Sequence, residues 1–434
     1  MRGMSSEQAK PVEDPDAETA GILPDLGPVA EGDKLTREVA GRRPGQLERV
    51  PLPAAEDPAR TERGRGDVDD AHVLTVALLT LGDPHTMTGG YLYHQRVAQR
   101  AQQNLATLRF WSLPPARFPL PVLGVPSLMR EILRSRPHVL VVDSIAAAFL
   151  APWLTWRRTS LPPLVAITHQ PPGGIDHGLA RSIVQGRLDR AAYRHTRSVV
   201  AASEPLAMQL WAAGIGRDVL RVIPPGRDVS LTAVPVDASL RAGRQAAVLM
   251  VGNWVPRKGV LELLEAVSRL PADVVTLHLV GGMDIDRSYA ARVRARVAAP
   301  DLSYRVVVHG PLSVAEVAGF YAAADVFALA STREPYGTAY GEAMAAGLPV
   351  IGWAAGNLPY LANRGEGLAV PPGDIIALAG ALHRLATDEA LRREMGERAR
   401  RRAAQLPTWD ETAKRFFAEL RRVVSSAHQR QDIG

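Results

Sequence analysis

At 434 residues and 46% hydrophobic content, the chain is long enough for two cored domains plus extensions. It has no cysteine, which excludes disulfides and thiolate-ligated metal sites. The net charge of +6 divides unevenly: residues 1–70 hold 10 Lys and Arg against 16 Asp and Glu, so the rest holds 41 against 29. A basic body suits anionic ligands, but no arginine run interleaves with aromatics, so nucleic acid is not expected as a partner.

Residues 1–70 contain no Phe, Trp or Tyr and are rich in Pro, Glu, Asp and Ala. Such a segment buries too little apolar surface to offset its ordering entropy, so an acidic disordered tail is expected. No segment there has the basic, apolar, small-residue layout of a signal peptide. The longest apolar run, residues 139–154, holds Asp143 and Pro152 and is too short for a bilayer. The expected location is cytoplasmic, with any membrane contact at the inner face.

Folding is expected to begin with an apolar strand at 72–79, followed by a loop ending in Gly89-Gly90 and a helix over 91–104. Strand, glycine loop and helix open a nucleotide-binding type of domain, although the dinucleotide pattern Gly-x-Gly-x-x-Gly is absent. The paired glycines allow close backbone approach to a ligand; an ordinary tight turn would use them equally well. Further apolar runs at 107–110, 139–142, 164–167, 198–201 and 221–223 alternate with helical patterns, which argues for a parallel sheet covered on both faces. The run 164–167 leads into Thr168-His169-Gln170-Pro171-Pro172-Gly173-Gly174, placing His169 at a strand's carboxyl end, where open parallel sheets bind ligands. His177 is nearby, but two histidines without a third ligand do not make a zinc site. Trp153, Trp156, Arg157 and Arg158 form an aromatic and basic cluster that reads first as a helix end and second as a membrane-surface patch.

The first domain is expected over 71–232, with a soft linker at 229–243. A second β/α series is expected over 244–406 and a last helix over 407–434. Strand 247–251 leads into Gly252-Asn253-Trp254-Val255-Pro256-Arg257-Lys258-Gly259 and a helix over 260–270. Lys258 is the only lysine between residues 71 and 413, a lone ammonium in a chain that otherwise writes its cations as arginine, and so a candidate phosphate ligand. Strands at 274–280 and 305–308 follow, the latter ending in His309-Gly310. Ser313 with Glu316 predicts a capping box opening the next helix. Strand 326–330 runs into Ser331-Thr332-Arg333-Glu334-Pro335-Tyr336-Gly337-Thr338, then a helix over 338–346 that carries Glu342 and ends on Gly347. Two carboxylates thus bracket a helix N-terminus at a strand end, where free amides and the helix dipole suit phosphate.

These residues resemble the large family of retaining, nucleotide-sugar-dependent glycosyltransferases of the GT-B fold (group 1, family 4-like). Their most specific mark is Glu-x7-Glu, here Glu334 and Glu342, within Glu-Pro-Tyr-Gly and Gly-Glu-Ala-Met-Ala-Ala-Gly-Leu-Pro-Val. Supporting marks are Pro-Arg-Lys-Gly at 256–259, the His169 loop, Ala202-Ser203-Glu204, Pro225-Gly226-Arg227-Asp228 and Val370-Pro371-Pro372-Gly373-Asp374. The resemblance covers residues 72–425 and implies an α/β fold of two Rossmann-like domains facing across a cleft, with the last helix crossing back onto the first domain. It implies hexosyl-type transfer from a nucleotide-sugar donor to an unknown sugar, lipid or small-molecule acceptor, with retention and without metal or other cofactor.

By the same resemblance, His169, Glu334 and Lys258 are the catalytic candidates. Glu334 faces the transferred sugar, Lys258 neutralises the leaving diphosphate and His169 touches the sugar near the reacting carbon. Glu342 holds the ribose, the amides of Tyr336, Gly337 and Thr338 hold the distal phosphate, Gly89 and Gly90 approach the diphosphate, and His309 and Gly310 border the base. Two positions depart from the family pattern. Asn253 stands where arginine is usual, with Arg257 as the candidate to replace it, and Tyr360 stands where an acid is usual. An epimerase or hydrolase on the same fold would need further acids in the first domain, for which Asp83 and Asp143 are the candidates. A degenerate, non-catalytic binder is the other alternative.

Overall fold

In a computed structural model of the chain, the structure describes residues 73–84, 89–156, 161–175, 177–227, 234–236 and 238–431. The expected N-terminal tail, Arg157, Arg158 and Asp228 lie outside the described residues. Twelve described strands form two six-stranded parallel sheets.

The first sheet has the order β2-β1-β3-β4-β5-β6 and contains β1 (Leu74–Leu81), β2 (Ala106–Leu113), β3 (Val139–Asp143), β4 (Leu164–Thr168), β5 (Ser198–Ala201) and β6 (Leu220–Val222). All residues of β3, β4 and β5 are buried, as expected where helices cover both faces. The pleat sends alternate residues of β1 to opposite cores. Ala77 and Leu79 join one cluster with Phe149 and Leu150 of helix α3 (Ser144–Trp156). Leu74, Val76 and Leu78 join another with Trp409, Phe416, Phe417 and Leu420 of the C-terminal helix (Trp409–Gln431). The last helix therefore crosses back and closes one face of the first sheet. Arg100 on Asp410 and Ser198 Oγ–H donating to Glu419 at 2.6 Å pin it there.

The second sheet has the order β12-β11-β10-β7-β8-β9 and contains β7 (Ala246–Val251), β8 (Val275–Val280), β9 (Val306–Gly310), β10 (Val326–Leu329), β11 (Val350–Trp353) and β12 (Gly367–Val370). The helix Val314–Ala323 opens with the expected capping box, both Ser313 and Glu316 bonds being present. The end of the linker lies on that helix, where Val234 N–H donates to Ala315 O at 3.1 Å. The helix Arg287–Val297 was not foreseen: its sequence is mostly Arg and Ala, and only Tyr289, Ala290 and Val293 are buried. Too few apolar positions recur to give an amphipathic signal. The long apolar run at 139–154 divides at Asp143/Ser144 into β3 and α3, and no described helix is long and apolar enough to cross a membrane.

Each sheet reverses its strand order once. In the first, β1 leads outward to β2 and then β3 starts on β1's other side; in the second, β7 and β10 flank the same kind of reversal. Such switch points leave a crevice at the carboxyl ends of the two strands, because the following loops diverge to opposite faces.

Candidate active site

At the switch point of the second sheet, β7 is followed by a single 3-10 turn, Pro256–Lys258, and β10 by the loop 330–337. Gly259, at φ 65°, ends the turn and opens helix α6 (Val260–Ser268); a Cβ there would strike the Ala330 carbonyl. That close approach brings the two loops together. Thr332 N–H donates to Arg257 O at 2.9 Å, and Ser331 Oγ–H donates to the same oxygen at 3.0 Å. Lys258 Nζ thereby reaches Glu334 Oε2 at 2.5 Å, with both side chains only 12% and 14% exposed. Arg257 lies 4.0 Å from the same oxygen. Although adjacent in sequence, the two cations converge on one carboxylate.

Asn357 clamps the loop from the far side. Its N–H donates to Glu334 O at 2.9 Å and its side-chain amide to Tyr336 O at 2.5 Å. Gly356 has φ 57°, and a Cβ there would lie 2.6 Å from Glu334 O. Gly337, at φ 87°, turns the chain into helix α9 (Thr338–Ala346), whose first-turn amides have no intrahelical acceptor. Gly347 closes that helix in the left-handed region, as its sequence position suggests. Glu342 accepts a hydrogen bond from Tyr321 Oη at 3.1 Å.

Other sequence-picked residues of this sheet are tied into its loops and strand ends. Asn253 Oδ1 accepts from Gly282 N–H at 3.1 Å, tying the loops after β7 and β8. His309 stacks on His278 and pairs with it, Nε2 to Nδ1, at 3.0 Å. Burial lowers the pKa of both. Gly310, at φ 73°, accepts from Gly281 N–H at 2.8 Å. Tyr360 is 39% exposed.

At the switch point of the first sheet, Thr80 Oγ1–H on β1 donates to Asp143 Oδ2 at 2.9 Å, bridging the two diverging strands. Asp143 Oδ1 also accepts from Ser144 Oγ–H at 3.2 Å and Ile145 N–H at 3.3 Å. Helix α1 (Gly89–Ala98) brings His94 to this cluster, one turn after Gly90. His94 Nδ1 lies 3.7 Å from Asp143 Oδ2 and its Nε2 lies 3.0 Å from His169 Nε2. Gly90 packs directly on His169: a Cβ at Gly90 would lie 3.2 Å from His169 Cδ2. The glycine loop and His169 do meet, therefore, although residues 85–88 lie outside the described residues. Burial pulls His94 and His169 down to about 3 and raises the Asp143 carboxyl.

His94 and Asp143 form the part of the site that sequence reasoning missed. Asp143 was considered only as a spare acid, and the signal for His94 was its place four residues after Gly90. Ligand atoms of His94, Asp143 and His169 lie within 4.8 Å of one another, within reach of a cation. As placed, His94 turns one nitrogen, Nδ1, to Asp143 and the other, Nε2, to His169. Asp143 is 2% exposed and Asp83 sits on the surface, so neither has the partly open position that an epimerase or hydrolase acid needs.

A cleft of about 510 Å³ separates the Glu334 loop from the first sheet's loops and helices. Thr332, Arg333 and Glu334 form one wall; Pro171, Ile175, His177, Leu206 and Gln209 face them. Glu334 is the one sequence-picked site residue on that wall. Tyr336, Thr338 and Glu342 line a separate crevice of about 20 Å³ with Arg227 and Trp409. Among the hydrogen bonds that cross between the sheets' loops are Arg333 to Ile175 O at 2.9 Å, Ser203 Oγ–H to Pro335 O at 2.6 Å, and Tyr336 Oη–H to Pro225 O at 3.0 Å. Burial pushes the Tyr336 phenol up to about 12.

Two parallel Rossmann-like sheets, each gathering polar side chains at a switch point, with a cleft between their loops, define the GT-B architecture. Residues 237–402 match the family described as Glycosyl transferases group 1, and residues 75–231 match Glycosyltransferase Family 4. The chain belongs to this GT-B group 1 glycosyltransferase family.

It is 29% identical over 284 residues to D-inositol 3-phosphate glycosyltransferase of Xylanimonas cellulosilytica, covering 61% of this chain and 67% of that one. It is likewise 29% identical to the MMP alpha-(1->4)-mannosyltransferase of Mycolicibacterium hassiacum, covering 49% and 50% of the two chains. Against most of these curated relatives the chain spans about half their length, for example 53% and 55%. Sucrose-phosphate synthase from Thermosynechococcus elongatus shares the fold, with a TM-score of 0.71 at 23% identity over 81% of this chain and 100% of that one. Anabaena HepE in complex with UDP-glucose gives a TM-score of 0.65 at 22% identity, over 79% and 98% of the two chains.

Proposed function

We propose that the chain moves a sugar from a nucleoside-diphosphate sugar to an acceptor held in the interdomain cleft, retaining the anomeric configuration and using no metal. The observation that carries this reading is the Lys258–Glu334 pair, with Arg257 beside it, at the second sheet's switch point and one turn before the helix N-terminus at Gly337. Cations and free amides side by side suit a diphosphate, whose charge grows as it leaves. A carboxylate within the same group suits sugar hydroxyls, which donate to it.

In this reading the anomeric carbon–oxygen bond to the phosphate breaks while the acceptor oxygen bonds to the same face. The acceptor's proton passes to the departing phosphate oxygen. Lys258 and Arg257 take up the charge of the leaving group, the role that a metal plays in other phosphate sites. Glu334 orients the sugar and does not act as a nucleophile, unlike the second carboxylate of a retaining hydrolase. Glu342 receives the ribose hydroxyls, the amides of Tyr336, Gly337 and Thr338 the distal phosphate, and His309 with Gly310 borders the base. Gly89 and Gly90 approach the diphosphate, and His169 meets the sugar from the opposite side. The HepE complexes with UDP and UDP-glucose, and the names of the relatives, support a nucleotide-sugar donor. The cleft volume suits an acceptor the size of a sugar or sugar phosphate.

The test is thermal stability of the full chain against a panel of uridine, guanosine, adenosine and thymidine diphosphate sugars, with release of the nucleoside diphosphate followed in parallel. At least one donor should raise the melting temperature and be slowly cleaved. A panel that shifts nothing removes the donor reading.

A further inference from the structure

We propose that His94 and Asp143 are positioning residues that hold His169 as a neutral ring with its proton on Nε2, so that Nδ1 is left as the hydrogen-bond acceptor offered to the transferred sugar. The role toward sugar rests on the donor reading above; the state of the ring does not. The argument runs outward from Asp143. Thr80, Ser144 and Ile145 all aim donors at its carboxyl oxygens, so it acts as an acceptor. The His94 nitrogen facing it at 3.7 Å, Nδ1, then carries that ring's proton, because a bare lone pair would point at an oxygen that already serves as an acceptor. A neutral imidazole has one proton, so His94 Nε2 is an acceptor. His169 Nε2, 3.0 Å away, must donate to it, and His169 Nδ1 is therefore unprotonated.

Several contacts hold the ring in that orientation. His169 N–H donates to Ser144 Oγ at 3.3 Å, the hydroxyl that itself donates to Asp143. Gly90 packs against the Cδ2 edge, and the Tyr93 ring sits 5.2 Å away, centroid to centroid. The titratable groups around the chain of rings are Asp143, Tyr91 and Tyr93, with Tyr193 beyond Asp143 and raised in part by it. Burial raises all three phenols, so they add no charge near neutral pH. Burial also keeps both imidazoles neutral, in agreement with the geometry. A ring so held accepts a sugar hydroxyl but has no proton to give in the cleft. His169 is then excluded as a general acid, which leaves the phosphate oxygen as the proton's destination.

The experiment uses the full chain labelled with 15N-histidine and long-range 15N–1H spectra between pH 5 and 8, with the His169 signals assigned by a His169→Asn variant. His169 is expected as the Nε2–H tautomer with no titration in that range. In Asp143→Asn, whose amide can donate to His94 Nδ1, and in His94→Phe, which removes the Nε2 acceptor, the ring should lose its fixed tautomer, its two nitrogen shifts moving toward each other. His94→Gln, whose amide oxygen can replace the Nε2 acceptor, should restore the wild-type signature. If His94→Phe does not fold, Asp143→Asn and His94→Gln still decide the matter. An Nδ1–H tautomer in the wild type, or a His169 signature indifferent to all three variants, overturns the proposal. Loss of the Nε2 proton on adding one equivalent of Zn²⁺ alone would also overturn it, by showing a chelate in place of a relay. Binding of the uridine, guanosine, adenosine and thymidine diphosphates, measured on the same samples, separates the two ideas: failure of the wild type to bind any of them would count against the donor reading and leave the tautomer result standing.

Discussion

The two switch points use the same topology for opposite electrostatics. The first sheet's crevice holds Thr80, Asp143, His94 and His169 together, with His94 1% exposed and both imidazoles driven neutral by burial. The second sheet's crevice holds Lys258 and Arg257 against Glu334 as an ion-paired group beside a cleft. The difference follows from what covers each. Helix α1 lays His94 over the first crevice and removes water from it, so desolvation disfavours charge. In the second, opposite charges stand within contact of one another, and each stabilises the other. In the function proposed above, the neutral wall stands against the sugar and the charged wall against the leaving group.

The largest effect expected from breaking this contrast is at Lys258. Lys258→Ala should lower the transfer rate by roughly 10²–10³-fold, the usual scale for losing a preorganised electrostatic contact. Calorimetry should show weaker nucleoside diphosphate binding, while the His169 tautomer stays as in the wild type. Unchanged affinity would mean that Arg257 carries the charge alone.

The next effect is on stability against pH. Both imidazoles fall from 6.5 to about 3 in the folded chain, so below pH 6.5 the unfolded chain binds protons that the folded chain refuses. Their contribution is whole above 6.5 and is lost as the pH falls toward 3, at about 1.4 kcal/mol per pH unit for each ring. Asp143 works the other way. Its raised pKa means that the folded state protonates first, so its contribution is whole below 3.8 and fades as the pH rises through the raised value. Urea unfolding from pH 7.5 to 5 should therefore show stability falling with acid. His94→Phe should flatten the slope; a slope unchanged by that variant would mean that the rings are not held neutral.

The smallest effect tests how the two walls are tied. Tyr336→Phe removes the bond to Pro225 O and should cost about 1 kcal/mol, the net worth of one hydrogen bond, read as a lower urea midpoint with an unchanged slope. A loss no greater than that of an exposed Tyr304→Phe control would show that the loop is held without this tie.

Much of the second crevice was legible in sequence because its parts are local. Gly259, Gly337, Gly347 and the Ser313–Glu316 box each act within a few residues of themselves. Lys258 could be singled out because lysine is so rare in the chain. The first crevice was much less legible. Asp143 and His169 end neighbouring strands but are separated by a helix and a loop, and His94 reaches them only because α1 packs over β1 and β3. The helix at 287–297 escaped notice for a different reason: three buried positions among arginines and alanines leave no clear periodicity.

From its residues alone, then, the chain determines the alternation of buried strands and helices, the turns at its glycines, and a lone lysine and a Glu-x7-Glu stretch each placed at a strand end. These rest on backbone sterics and on burial of apolar runs, both of which act over short spans of chain. Tertiary structure alone decided which strand ends become neighbours, that Arg257 and Lys258 converge on one carboxylate, and that His94 stands between Asp143 and His169. Those depend on strand order and on helices packing across a sheet, and residues so joined carry no mark of each other in the linear order of the chain.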